Sequence, residues 1–257
     1  MISMSRSGRT VAFAAIIALV LPMAACSSSP PVTGVRARSS TARSAPVPAT
    51  SPATTVLTGT QLKSSLVPQS GFPAGYVVNA KYSYHAGDGI RILPTQYDLV
   101  TMACATFAQQ SGYATWFGQT AMAWAEFDRP AESQGPPGQS YDEFIYQFSD
   151  PLTAGSFVSL FRADASRCRA LTTTRSGTSL RITMRQASAT PVDGDPATSI
   201  AMTAVADVGT EQGDFLFVVD DNDVYGVIRV GALTAPPGRP AAAAVIAQMM
   251  KQVRAIN

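Results

Sequence analysis

The chain has 257 residues, of which 46% are hydrophobic and 14% are charged. This apolar share is enough for a globular core, but the charged share is well below the usual value of about 25%. All 17 acidic residues but only 14 of the 19 basic residues follow residue 56, so that part of the chain carries −3 despite the overall +2. A mildly acidic domain without a Lys or Arg run lacks the electrostatic footprint of nucleic-acid binding.

The N-terminus has the pattern of a secretory signal peptide. Arg6 and Arg9 precede residues 11–25, which are uncharged and apolar, as in the charged and apolar regions of such a signal. A transmembrane helix is the alternative, but it needs about 20 apolar residues, and Pro22 interrupts this shorter stretch. The sequence therefore predicts a signal peptide at residues 1–25.

The signal ends in LPMAAC, residues 21–26, which resembles the lipobox of bacterial lipoproteins. Met23 departs from the commoner Leu at its position. In that family the cysteine thiol receives a diacylglycerol and the peptide is cut just before it. The resemblance implies lipidation of Cys26 and attachment to the outer, extracytoplasmic face of the cell membrane.

Residues 26–56 have the composition of a tether. After Cys26 they consist almost entirely of Ser, Thr, Pro, Ala, Val, Gly and Arg and contain no aromatic residue, so they cannot bury a core. A flexible chain of about 30 residues spans roughly 30 Å. We expect a disordered tether followed by one folded domain at residues 57–257.

The first half of this domain shows two helix patterns and a strand pattern. Thr58 or Thr60 can cap a short helix that ends before Pro68, and alternating apolar residues from 76 to 84 predict a strand. A second helix is predicted where apolar residues recur at spacings of three and four, with Cys104 on its buried side. That helix face consists of Tyr97, Val100, Cys104 and Phe107.

The second half begins with a predicted half-buried strand, in which Phe144, Tyr146 and Phe148 alternate with polar residues. Asp150 then has the position of an N-cap and Pro151 that of a first helical residue. Four strand patterns follow, beginning near Leu180, Ser199, Asp214 and Val224, and a last helix begins at Pro240 with Val245, Met249 and Val253 on its inner face. This order predicts an α+β fold, an antiparallel β-sheet flanked by helices.

Cys104 and Cys168 are an even pair once Cys26 is assigned to lipid. In an oxidising compartment such a pair favours a disulfide. Two buried free thiols are the alternative.

No catalytic motif is evident, and no metal site or cofactor is implied. His85 is the only histidine, which rules out a two-histidine zinc site and leaves it as an incidental loop residue. The nearest match to a nucleophile elbow, residues 138–142, lacks the Gly-x-Ser-x-Gly pattern. Two acid pairs could serve a glycosidase, but we interpret them as adjacent surface acids: Glu126 with Asp128, and Asp142 with Glu143.

Two further clusters have a functional and a structural interpretation. Residues 220–223, Asp-Asp-Asn-Asp, offer oxygen ligands to calcium but lack the rest of an EF-hand, so a solvated hairpin tip is favoured. Aromatic residues close together in the chain could form a ligand-binding site, although core packing is the favoured alternative. These candidate ligand-binding residues are Tyr113, Trp116, Phe117 and Trp124.

The order of these features over residues 57–257 resembles actinobacterial sensor-domain lipoproteins of the PknH-like type. The segments that carry it are LTGTQLKSSLVPQSGFPAGY, MACATF, EFIYQFSDPLTAGSFVSLFRADASRC and GVIRVGA. The resemblance implies an antiparallel sheet flanked by helices, with a cleft for an unknown extracellular ligand. It also pairs the cysteine of MACATF with that of ASRC, where the kinase example has two disulfides.

The leading hypothesis is a membrane-anchored, non-enzymatic extracytoplasmic domain that binds a small-molecule or envelope ligand. Its partners would be the membrane, through the lipid anchor, and a separate signalling protein, but not nucleic acid. A carrier or scaffold for envelope lipids or proteins is one alternative, with Met102, Met122, Met184 and Met202 as a pliable lining. A carboxylate-based cell-wall hydrolase is the second.

Overall fold

The computed structural model describes residues 56–88, 103–104, 118–129, 139–175, 178–206, 209–231 and 241–257. In this part of the chain nine antiparallel strands form one sheet, in the order β1-β3-β4-β9-β8-β7-β6-β5, and β2 also pairs with β3. The strands are β1 Val77–Val78, β2 Tyr84–Ala86, β3 Gln119–Arg129, β4 Gln139–Phe148, β5 Ala170–Arg175, β6 Thr178–Ala187, β7 Ala197–Ala206, β8 Gly209–Asp220 and β9 Asp223–Gly231.

Three helices lie within the same described ranges. They are α1 Gly59–Ser64, α2 Pro151–Arg167 and α3 Ala242–Arg254, and a short 3₁₀ turn covers Gln69–Gly71. Helix α2 packs on one face of the sheet, while α1 and α3 pack on the other. The predicted α+β fold, with an antiparallel sheet flanked by helices, is therefore confirmed.

The predicted starts of α1 and α2 are confirmed, and the structure decides between the two candidate caps of α1. The Thr58 hydroxyl accepts a hydrogen bond from the Gln61 N–H (3.2 Å), and the Gln61 side chain accepts one from the Thr58 N–H (2.8 Å), which is a capping box. At the start of α2, Asp150 accepts from the Thr153 N–H (2.8 Å). The last helix starts at Ala242, and Pro240 lies outside the described residues.

The prediction of one continuous strand over residues 76–84 is wrong, because a turn separates β1 from β2. Val78 pairs with Phe127 and Tyr84 pairs with Trp124, so six steps along this segment match only three along β3. The surplus residues form a turn closed by a hydrogen bond from the Tyr82 N–H to the Asn79 carbonyl (3.0 Å). Alternation alone gave no sign of this turn.

The prediction that β4 is half-buried is also wrong. Both faces of this strand are covered, and nine of its ten residues are buried, because β4 lies inside the sheet between β3 and β9 with helices on both sides. Its polar residues, which include Asp142 and Glu143, therefore lie in the interior of the domain.

Cys104 and Cys168 form the predicted disulfide. Cys168 is the C-cap residue of α2, so the bond ties the end of that helix to the segment that contains Cys104. The other members of the predicted helix face, Tyr97, Val100 and Phe107, lie outside the described residues. Of the helices described, none has the length and apolar character needed to cross a bilayer.

Candidate functional site

The interpretation of the two acid pairs as surface groups is wrong. The sheet register places Glu126 directly opposite Asp142, on the face covered by α2, and both residues are almost completely buried. Asp128 lies on the same face, opposite Ser140. Asp142 and Glu143 do not form a pair, since neighbouring residues of a strand point to opposite faces.

The turn at residues 79–83 holds the acids of β3. The Asn79 side-chain amide donates to Glu126 Oε1 (3.0 Å) and to Asp128 Oδ2 (2.7 Å). The Asn79 N–H also donates to the Glu126 carbonyl (2.8 Å), and the Ser83 hydroxyl accepts from the Glu126 N–H (3.0 Å). These bonds give the acids of β3 a structural role, which is to fix the turn that separates β1 from β2.

Asp142 is the acid in this cluster that is poised to hold a proton. Burial first, and then the charges of Glu126 and Asp128, hold the pKa of Asp142 well above its usual range. Burial, followed by the charge of Asp142, also raises the pKa of Tyr84. A protonated carboxyl beside a second acid is suited to general acid catalysis, but Asp142 is only 5% exposed, so a substrate has no access to it in this structure.

A second buried acid lies on the opposite face of β4. Glu143 is fully buried among the apolar residues under α1 and α3, and neither of its oxygens accepts a hydrogen bond of standard geometry. Burial raises the pKa of Glu143 well above its usual range, partly offset by the backbone N–H of Val67. Because an ionised carboxylate is costly without partners, Glu143 is held as the neutral acid.

Asp223 joins the N-terminal segment to the hairpin between β8 and β9. The Leu57 N–H donates to Gln147 Oε1 (2.7 Å), and Gln147 Nε2 donates to Asp223 Oδ1 (3.1 Å). The Tyr225 hydroxyl lies 3.5 Å from Asp223 Oδ2 and donates to it. Burial raises the pKa of Asp223 to about 7, so the Asp223 carboxyl gains or loses its proton near neutral pH.

The solvated hairpin tip is confirmed only for Asp221, which is exposed and has a left-handed φ of 55°, a region that Asp tolerates. Asn222 is buried; its amide donates to the Phe148 carbonyl (3.0 Å), and its own carbonyl accepts from the Phe148 N–H (2.9 Å). Asp220 instead accepts from Arg254 Nε (2.8 Å). The acids therefore diverge, and no cluster of three or more metal-ligating residues occurs among the described residues.

His85 lies in β2 and not in the predicted loop. It is beside a hydroxyl and a carboxylate, but not in the arrangement of a catalytic triad. His85 Nε2 is 3.4 Å from Thr60 Oγ1 and 3.1 Å from Asp88 Oδ2, so both groups approach the same ring nitrogen. In a triad the acid binds one nitrogen and the nucleophile the other. Thr60 also donates its hydroxyl hydrogen to Asp88 (2.9 Å). These three side chains therefore connect α1 to the segment at the end of β2.

The predicted aromatic ligand site falls largely outside the described residues, where Tyr113, Trp116 and Phe117 lie. Trp124 is buried in the core and stacks on Phe144, with ring centroids 4.9 Å apart. Among the methionines of the carrier alternative, Met122 and Met184 belong to the same core, Met202 packs against it, and Met102 lies outside the described residues. The described members, Trp124, Met122, Met184 and Met202, pack in or against the core rather than line an opening.

No protein-family model and no curated protein matches the sequence. The extracellular domain of PknH from Mycobacterium tuberculosis has a similar structure, at 16% identity and a TM-score of 0.55, over 77% of this chain and 97% of that chain. An Rv0999 ortholog from Mycobacterium smegmatis is also similar, at 13% identity and a TM-score of 0.38, over 76% of this chain and 95% of that chain. The PknH likeness shows a shared fold.

Sequence reasoning missed the polar residues that this fold buries. Gln147 links Leu57 to Asp223, and Asn79 links two acids of β3, yet neither residue stands out in the sequence. One signal was available: β4 places two consecutive acids in a strand whose other positions are mostly aromatic or aliphatic. In a strand covered on both sides, one acid must enter each face.

Proposed function

We propose that the chain is a lipid-anchored, extracytoplasmic domain that binds a ligand without transforming it. The observation that carries the proposal is the fold shared with the extracellular domain of PknH, which extends over 97% of that domain. The disulfide between Cys104 and Cys168 is consistent with an oxidising compartment. The lipobox at residues 21–26 and the tether supply the means of attachment.

The burial of the acidic groups supports a non-enzymatic role. A glycosidase needs two carboxyl groups on either side of a substrate bond. Glu126 and Asp142 face each other inside the domain, and Glu143 lies on the other side of the sheet. A ligand signal would then pass to a separate signalling protein.

Lipid attachment is tested by metabolic labelling with a fatty acid. We expect the wild-type chain to incorporate the label and the Cys26→Ala chain to lose it. A chain with both Cys104→Ala and Cys168→Ala is the matched control, because it also loses cysteines but keeps Cys26 and should still be labelled. Label that persists in Cys26→Ala would contradict the anchor.

Ligand binding and the absence of turnover need separate measurements. Native mass spectrometry of the protein purified from its own cell envelope should show the bare mass plus a bound small molecule. Incubation with cell-wall glycans should release no product. Hydrolysis that Glu126→Gln or Asp142→Asn abolishes would establish an enzyme and refute the proposal.

A further inference from the structure

One region of the sheet is open on the side opposite α2. On β6, Ile182 and Met184 are buried against the α2 core, so the residues between and beside them point to the other face. Arg181, Thr183 and Arg185 occupy those positions and are exposed. We call this open region the arginine face; it comprises Thr172, Arg181, Thr183, Arg185, Thr203 and Val205.

The positive charge of the arginine face is not neutralised by the neighbouring strands. Farther along the sheet, Arg229 on β9 forms a bidentate pair with Asp214 on β8. Arg181 and Arg185 make no ion pair with the described residues. The face therefore presents two unpaired guanidinium groups on a domain whose net charge is −3.

The spacing of these groups suits a surface of anionic groups. Arg181 and Arg185 are four residues apart on one strand, a separation of about 13 Å. Thr183 lies between them and pairs with Thr203 on β7, which places hydroxyl groups between the two charges. Guanidinium groups bind phosphate through paired N–H donors, and Val205, opposite Arg181 and exposed, adds an apolar contact.

We propose that the arginine face docks the domain on anionic phospholipid headgroups of the membrane to which the tether is attached. This inference rests on the proposed function for the attachment itself. A domain of net charge −3 is repelled by an anionic bilayer in most orientations, whereas this face is attracted, since each basic residue near such a surface contributes about 1 kcal/mol. The tether, at roughly 30 Å, leaves the domain free to reach the bilayer.

The test uses residues 26–257 coupled through the Cys26 thiol to a maleimide lipid, so that natural acylation is not required. The other two cysteines are held in the disulfide and do not react. Neutron reflectometry then measures the distance of the domain from supported bilayers of pure phosphatidylcholine, or of phosphatidylcholine with phosphatidylglycerol. The variants are Arg181→Gln with Arg185→Gln, and a matched control, Arg162→Gln with Arg169→Gln, at exposed arginines outside the face.

We expect the wild-type chain and the control variant to lie against the anionic bilayer and to move away in about 0.5 M salt. The ratio of docked to undocked domain should fall about thirtyfold in the Arg181→Gln, Arg185→Gln variant, equivalent to about 2 kcal/mol. Equal docking on neutral bilayers, or docking unaffected by this variant, would overturn the proposal. Binding of the protein to an acidic polysaccharide without docking on the bilayer would also overturn it and would assign the face to a wall polymer. None of these outcomes affects the fatty-acid labelling of Cys26, which tests the anchor separately.

Discussion

Replacing Asp223 with Asn tests whether the folded domain keeps a proton that the unfolded chain releases. Burial raises the pKa of Asp223 from 3.8 to about 7. As the pH rises from about 4 to about 7, the unfolded chain loses this proton first, so the free energy of unfolding falls and then levels off above about pH 7. At about 1.4 kcal/mol for each pKa unit, the difference amounts to about 4 kcal/mol.

The Asn side chain has the same shape, can still accept a hydrogen bond from Gln147 and never carries a charge. Asp223→Asn should therefore match the wild type near pH 4 and exceed its free energy of unfolding by about 4 kcal/mol at about pH 8. Urea unfolding of the purified protein, with the disulfide intact and measured at several pH values, gives this difference directly. The same change at exposed Asp221 is the control and should leave the pH dependence in place; a difference between Asp223→Asn and wild type that is constant with pH would refute the reasoning.

The remaining predictions concern the core and the crosslink. Glu143→Gln should increase the free energy of unfolding at about pH 8 more than at about pH 4, because burial raises the pKa of Glu143; an equal gain at both pH values in urea unfolding would contradict a neutral Glu143. Gly226→Ala should destabilise the domain by about 3 kcal/mol or more, because the added Cβ would lie 1.9 Å from Phe144 Cζ. Gly155→Ala in α2, where the added Cβ has no atom within 4 Å, should stabilise it by about 1 kcal/mol. Thermal unfolding measures both variants, and an unchanged stability of Gly226→Ala would contradict the prediction. Replacing Cys104 and Cys168 together with Ala should cost about 4 kcal/mol for a loop of 64 residues, and denatured, unreduced wild type should show no reactive thiol at these positions.

The three described helices and the strands β4, β6, β7, β8 and β9 were predictable from the sequence because their signals are local, whereas β3, with 11 residues, was not predicted. Asp150 followed by Pro151 marks the start of α2, and Thr58 with Gln61 forms the capping box of α1. The strand pattern that begins near Asp214 likewise marks β8. Each of these patterns depends on residues within one turn or one strand, so no knowledge of the tertiary structure was needed.

The burial of the acids was not predictable, because it depends on which strands become neighbours. Glu126 and Asp142 are 16 positions apart in the sequence and face each other only after β3 and β4 pair. Glu143 is buried because α1 and α3, which lie near the start and the end of the domain's sequence, cover the same face of β4. The sequence therefore predicts that such acids lie at the surface, since carboxylates are seldom buried.

The contact between Leu57 and Gln147 has a mechanical consequence. Leu57 directly follows the proposed tether, and its N–H donates to a side chain of β4, an interior strand. A pulling force on this proposed tether would therefore reach the middle of the sheet rather than a peripheral strand, and the first resistance would come from this hydrogen bond and the buried Leu57 side chain. Because the same Gln147 amide donates to Asp223, the force that the attachment withstands should depend on whether that carboxyl holds its proton.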